Sequence, residues 1–322
     1  MKIAKNITEM IGNTPLLKIN SFGEPILAKA EFVNPGHSVK DRIAYAMIKD
    51  AFDSGKITNQ SVIIEPTSGN TGVGLAMVCA ALGLKAIFTM PASMSKERQL
   101  ILKAYGAQLE LTEPSLGMKG AVDKANELAK NLANSFIPSQ FDNASNPKIH
   151  YDTTAKEILE QTDGKIDFFV AGFGTGGTIS GVGKALKEHN PNVKIIAVEP
   201  EASPLLTQGK AGPHAIQGIG ANFIPANLDR SVIDEIRTVS NDDAIATTRK
   251  LASKEGVLVG ISAGANVFVA SKIANENQGK VVVTVLPDTG TRYFSTGIFE
   301  YILCGNSSRS TIIKKPATRA PR

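Results

Sequence analysis

Lys40 stands in the run Asn34-Pro35-Gly36-His37-Ser38-Val39-Lys40-Asp41-Arg42, where an extended segment meets the helical stretch Asp41–Phe52. An amine at the mouth of a helix, close to backbone N–H groups in a cleft poor in water, loses its proton near neutral pH. It then becomes a nucleophile towards a carbonyl. A lone lysine is ordinarily a surface residue, so its meaning depends on what surrounds it. The second chemical feature is Phe168-Phe169-Val170-Ala171-Gly172-Phe173-Gly174-Thr175-Gly176-Gly177-Thr178, a strand running into a glycine loop and then a helix. Successive N–H groups there, with the Thr175 and Thr178 hydroxyls, form a cradle for a phosphate at a positive helix end. Gly172-x-Gly174-x-x-Gly177 also fits a dinucleotide fingerprint, with Glu199 as the ribose-binding acid at the end of the next strand. The segment alone leaves a nicotinamide-dependent oxidoreductase open beside a phosphate monoester.

These residues need a scaffold, and the chain alternates short β-rich runs with helical ones. Ser61–Glu65, Lys85–Met90 and Gln108–Thr112 read as strands, and Gly72–Leu82, Lys96–Tyr105 and Met118–Ala133 as helices. A second series follows: helix Asp152–Gln161, strand Phe168–Ala171, helix Ile179–Glu188, strand Lys194–Glu199, helix Asn241–Glu255, a helix after Ser262, and strand Lys280–Leu286. Such alternation predicts an α/β fold: two three-layer α/β domains with mostly parallel central sheets and the active site in the cleft between them. We expect a smaller mobile N-terminal domain over 35–145, with 1–12, and a larger C-terminal domain over 146–305, with 13–34. Ligands gather at the carboxyl ends of parallel strands. Three such ends carry unusual loops: Pro66–Gly72, Gly172–Thr178 and Pro287-Asp288-Thr289-Gly290.

The 322 residues provide ample core, and 42% hydrophobic with 20% charged residues is an ordinary globular balance. No apolar run reaches the ~20 residues a membrane helix needs, and the N-terminus lacks a secretory apolar core. Cys79 and Cys304 form neither a disulfide framework nor a metal-ligand spacing, so no metal is expected and the chain reads as cytoplasmic. The net charge of +5 is matched by Arg309, Lys314, Lys315, Arg319 and Arg322, which lie in a tail, 306–322, without acids. The body is thus formally neutral, no nucleic-acid partner is implied, and the tail reads as disordered.

Taken together, the motifs resemble the fold type II (β-family) pyridoxal-phosphate enzymes, and within them the cysteine synthase (O-acetylserine sulfhydrylase) family. The resemblance runs over nearly the whole body. It rests on Ile11–Leu16, Asn34–Arg42, Pro66–Gly72, Gln140-Phe141, Gly174–Thr178, Gln217–Ala221 with Phe223-Ile224-Pro225, Gly260–Gly264, and Leu286–Tyr293.

The resemblance implies pyridoxal 5'-phosphate as cofactor, Lys40 as its Schiff-base lysine and general base, and Gly174, Thr175, Gly176, Gly177 and Thr178 as its phosphate cup. It gives Asn70 the ring hydroxyl and Ser262 the pyridine nitrogen. Thr67, Ser68, Asn70, Thr71 and Gln140 would hold the substrate carboxylate, and Gly218 would line the amino-acid pocket. The implied reaction is β-replacement of O-acetyl-L-serine by sulfide to L-cysteine through an α-aminoacrylate. Cystathionine β-synthase, O-phosphoserine sulfhydrylase and sulfide-releasing cysteine lyase share the same motifs. A homodimer and docking of the serine acetyltransferase C-terminus are implied as well. Other readings stand beside these: Asn70, Thr71 and Ser262 as helix caps, and Gln140 as an ordinary loop residue. A neutral hydroxyl at the pyridine nitrogen favours β-elimination and replacement, an argument that weakens if Asp288 or Thr289 faces the ring. His37 stands where a smaller residue such as glycine is expected.

Overall fold

The computed structural model describes residues 3–300. The chain opens with an antiparallel pair, β1 (Leu16–Ile19) and β2 (Ile26–Ala30), before the first helix, α1 (Lys40–Asp53). Then come β3 (Val62–Pro66), α2 (Asn70–Leu82), β4 (Lys85–Pro91), α3 (Lys96–Ala104), β5 (Gln108–Thr112), α4 (Gly117–Asn131) and β6 (Ser135–Phe136). These four strands form an all-parallel sheet in the order β5-β4-β3-β6. A helical segment follows, α5 (Ser145–Ile149) and α6 (Ala155–Gln161), joined by a π turn at His150–Thr154. Then come β7 (Phe168–Gly172), α7 (Gly177–His189), β8 (Lys194–Pro200), the short α8 (Leu205–Gln208), β9 (Glu235–Val239), α9 (Asn241–Glu255), α10 (Ile261–Glu276) and β10 (Val282–Leu286). Strands β1, β2 and β7 to β10 make a six-stranded sheet in the order β1-β2-β10-β7-β8-β9, parallel throughout except at β1.

Period-two alternation within the strands builds three layers in each unit. In the larger sheet, Val170, Ile196, Val198, Val282 and Leu286 face α9 and α10, while Phe169, Ile195, Ala197, Val283 and Val285 face α6 and α7. In the smaller sheet, Ile63, Phe88 and Met90 pack on α1 and α2, and Ile64 and Ile87 pack on α4. Both faces of these strands are therefore apolar, as helix-covered parallel sheets require. The expected α/β architecture with mostly parallel sheets is present.

Several boundaries shift for local reasons. Helix α1 starts at Lys40 itself, because Ile43, Ala44, Met47, Ile48 and Ala51 make one buried stripe. The expected helix Asp152–Gln161 begins at Ser145, its middle loosened into the π turn. Strand β9, with its broken burial pattern, is an edge strand that the sequence reading missed. The expected tail, 306–322, and Cys304 lie outside the described residues. Among the described residues, no helix is long and apolar enough to cross a membrane, and no acid, histidine or cysteine cluster is arranged to hold a metal.

Candidate active site

The carboxyl ends of β3, β7 and β10 open onto one cleft, whose lining includes Lys40, Asn70, Gly174, Thr175, Gly218, Ser262 and Asp288. Thr67, Ser68, Thr71 and Gln140 continue its wall outward, with Gly218 again on the opposite side. The structure thus brings the expected site residues together, except that Gly177 stands just behind the lining as the first residue of α7.

Lys40 enters the cleft from the first position of α1. Its Nζ makes no hydrogen bond or salt bridge among the described residues. Burial pushes the amine below the ordinary lysine value, and the Asp288 carboxylate pulls the other way. The turn before it is held by Asp41, whose Oδ2 accepts the Gly36 N–H at 2.6 Å. Any Cβ at position 36 would meet Asp41 Oδ1 at 2.5 Å, so the glycine is a packing requirement. His37 adopts φ 63° and is exposed. This left-handed conformation explains why a glycine is expected there. Its ring faces a separate groove with Arg98, Tyr105 and Arg292.

The glycine loop is an unused set of donors. The N–H groups of Gly174, Thr175 and Gly176 meet no acceptor among the described residues. Those of Gly177 and Thr178 belong to the first turn of α7, where no intrahelical acceptor exists. Gly176 is the N-cap with φ 83°, and a Cβ on it would stand 2.8 Å from the Leu228 backbone. Behind the loop, Asn146 Nδ2 donates to Thr175 Oγ1 at 2.9 Å, and His150 Nε2 pairs with Thr178 Oγ1 at 3.2 Å. Burial, and then the Arg42 charge, lower the His150 pKa to about 3, so the imidazole is neutral.

A second donor set lies at the start of α2. The alternative reading of Asn70 and Thr71 as helix caps does not hold: the N-cap is Gly69, and neither side chain turns back on the helix. Thr71 instead donates to Gln140 Oε1 at 2.5 Å, which leaves the Gln140 amide N–H groups free. Gln140 is no ordinary loop residue. Its N–H donates to Glu65 at 3.1 Å, and its carbonyl accepts from Asn146 and Asn227 at 2.8 and 2.9 Å. Ser262 does not cap α10 either, since the N-cap is Gly260. Its hydroxyl has no partner among the described residues and faces Gly218 across the cleft, 3.6 Å from where a Cβ there would stand. Asp288 lines the inner cleft and Thr289 does not. Asp288 accepts from Asn70 at 2.6 Å and from the Tyr293 hydroxyl at 2.7 Å, and burial raises its pKa.

A free amine, a cradle of N–H donors and a hydroxyl opposite them form the donor set that an aldehyde-bearing phosphate on an aromatic nitrogen ring requires. The family model of pyridoxal-phosphate dependent enzymes matches residues 7–288. The chain belongs to this family. It is 58% identical over 299 residues to cysteine synthase B of Campylobacter jejuni, covering 93% of this chain and all of that one. Among solved structures it resembles a hydrogen sulfide-producing enzyme from Fusobacterium nucleatum, with TM-score 0.88, 47% identity, and 91% and 99% of the two chains covered. It also resembles an O-acetylserine dependent cystathionine beta-synthase from Helicobacter pylori, with TM-score 0.86, 43% identity, and 93% and 100% covered.

Pyridoxal phosphate displaces the dinucleotide reading, and Glu199 supplies a physical reason. Its carboxylate accepts the Leu206 and Thr207 N–H groups at 2.9 and 3.2 Å, which ties it to the turn of α8 rather than leaving it for a ribose. The sequence reading missed Glu65, Asn146, His150 and Arg292. Glu65, a single acid inside an apolar strand, was the one with a visible signal.

Proposed function

We propose that this pyridoxal-phosphate enzyme forms L-cysteine from O-acetyl-L-serine and sulfide by β-replacement. The carrying observation is the unpaired Lys40 amine placed between the donor cradle at Gly174–Thr178 and the donors at the start of α2. When bound, the cofactor supplies an electrophilic aldehyde and an electron sink for a carbanion. Lys40 would hold it covalently, and its free amine would take the proton from the substrate Cα and later return it. Thr67, Ser68, Asn70, Thr71 and Gln140 bind the substrate carboxylate, with Gln140 kept rigid by Glu65, Asn146 and Asn227. Gly174 to Thr178 hold the phosphate, Asn70 the ring hydroxyl and Ser262 the ring nitrogen. Gly218 leaves room for the amino acid, because a side chain there would point at Ser262. Grip on the carboxylate would draw 35–145, with 1–12, over 146–305, with 13–34, and exclude water.

The reading includes a homodimer, a cytoplasmic location, and docking of the serine acetyltransferase C-terminus in the same cleft. A short acetyltransferase C-terminal peptide that failed to compete with substrate would remove the last of these. A second reading, transfer to a thiol larger than sulfide, is favoured by the broad outer cleft, whose walls carry Met118, Val122, Phe141 and Phe223. Borohydride reduction and peptide mass mapping test the first reading, with a pyridoxyl adduct on Lys40 as the expected result. An adduct elsewhere, or undiminished β-replacement in Lys40→Ala, would refute it. A panel of O-acetylserine, O-phosphoserine, serine and cysteine against sulfide and homocysteine separates the two readings.

A further inference from the structure

Arg292 takes part in none of the steps above, yet it ties together the loops around Lys40. It stands in the 3-10 turn Gly290–Thr296 that follows β10. Its Nη1 donates to Asn70 Oδ1, and its Nη2 donates to the Gly36 carbonyl. A guanidinium only donates, so the Asn70 atom facing it is the oxygen. The opposite logic fixes the other end of the amide. Asn70 Nδ2 donates to Asp288 Oδ2 at 2.6 Å, and that oxygen also accepts the Tyr293 hydroxyl at 2.7 Å. One amide N–H has no partner among the described residues, on a residue that lines the cleft beside Lys40.

We propose that Arg292 is a positioning residue: it locks the Asn70 amide so that a donor, never an acceptor, faces the cofactor oxygen adjacent to the carbonyl carbon held by Lys40. This rests on the cofactor site proposed above. A donor at that oxygen favours its ionised form, whereas a flipped amide would present Oδ1 and favour the protonated form. Arg292 thereby sets the protonation pattern of the bound cofactor from outside the cleft, since its own side chain lines the neighbouring groove with His37 and Arg98.

The test compares wild-type, Arg292→Met and Arg292→Lys holoenzymes by visible absorbance across pH, with thermal melting of the apo and holo forms. Arg292→Met is expected to move absorbance from the long-wavelength to the short-wavelength band by about tenfold in ratio, the worth of a hydrogen bond to a charged group. Arg292→Lys still donates to Asn70 Oδ1 and is expected to stay near the wild-type ratio. If Arg292→Met melts earlier in both forms while the band ratio is unchanged, the residue only braces the turn and the proposal falls. Should Arg292→Met fail to fold, Asn70→Asp keeps the arginine paired but presents no donor. It must show the same shift, and an unchanged ratio there also overturns the proposal. A wild-type protein with no visible band would instead refute the cofactor site, so the two failures are distinct.

Discussion

Replacing Arg42 by methionine isolates the charge cluster that anchors the helix carrying Lys40. Arg42 is 1% exposed. Its Nε and Nη2 grip the two Glu31 oxygens, both at 2.8 Å, and its Nη1 and Nη2 grip those of Glu157 at 2.7 and 2.8 Å. Lys29 Nζ, also fully buried, reaches Glu157 at 2.8 Å, so two cations balance two carboxylates. Arg42→Met leaves a net negative charge in the interior. Glu31, with no exposed surface, keeps only the Thr14 hydroxyl at 2.7 Å and Asn34 Nδ2 at 2.8 Å. Removing one member of a buried pair costs about 3–5 kcal/mol. The pH dependence fixes the sign. Burial alone would raise both carboxylates, but Arg42, joined by Lys29 at Glu157 and by Thr14 at Glu31, outweighs it, holding Glu157 at about 2 and Glu31 below its ordinary value. In wild type their contribution is full above the ordinary glutamate value and is lost as pH falls from there towards 2. In Arg42→Met, Glu31 instead takes up a proton on folding, so the deficit grows as pH rises from 4 to 7. Urea midpoints of the apoprotein at both pH values measure this, and Arg42→Met/Glu31→Gln, neutral again, should recover at least half of the loss. A loss below about 1 kcal/mol at pH 7, or one that does not change with pH, would refute the reasoning.

Three further outcomes follow from the site. The rate of cofactor capture by apoenzyme should rise with pH to a midpoint below the ordinary lysine value, and Asp288→Asn should lower that midpoint further by removing the opposing carboxylate; an unmoved midpoint contradicts this. Gly177→Ala places a Cβ 1.8 Å from Asn146 Oδ1 and displaces the amide that holds Thr175 and Gln140, so equilibrium dialysis should show cofactor affinity weaker by about tenfold. His37→Gly should leave cofactor affinity and donor KM unchanged, because the ring faces the outer groove; a changed KM would place the ring in the substrate path.

The architecture was legible because parallel strands covered on both faces are written as apolar runs, and the helices between them as stripes. Lys40, the glycine cradle and the loop after β3 were legible for a related reason, since each sits at a strand end where the chain changes from apolar to glycine-rich or polar. What escaped was whatever depends on partners distant in sequence. Arg42 and Glu157 are separated by 115 positions, and nothing local marks them as a pair. Asn146 reads as a loop residue until its amide is seen joining Gln140 to Thr175. Glu199 misled in the opposite direction: the spacing offered a ribose ligand, while three-dimensional packing spends its carboxylate on the turn of α8.

The same geometry bears on which side chain stands at the ring nitrogen, the question left open between Ser262 and Asp288. In pyridoxal phosphate the nitrogen lies opposite the carbon that carries the aldehyde, and the ring hydroxyl lies next to that carbon. Asp288 is hydrogen-bonded to Asn70 and its charge acts on Lys40, so in the proposed site it would stand at the aldehyde and hydroxyl edge. Both of its short contacts use Oδ2, while Oδ1 is turned towards Gly260, where a Cβ would come within 2.2 Å. Ser262 faces Gly218 with its hydroxyl unpaired. The arrangement therefore favours a neutral partner for the nitrogen and a carboxylate beside the amine. A weak sink at the nitrogen would disfavour full carbanion development, and the charge of Asp288 would favour the protonated form of the Lys40 amine. In the proposed site both effects would select elimination and replacement over transamination, without any residue having to touch the leaving group.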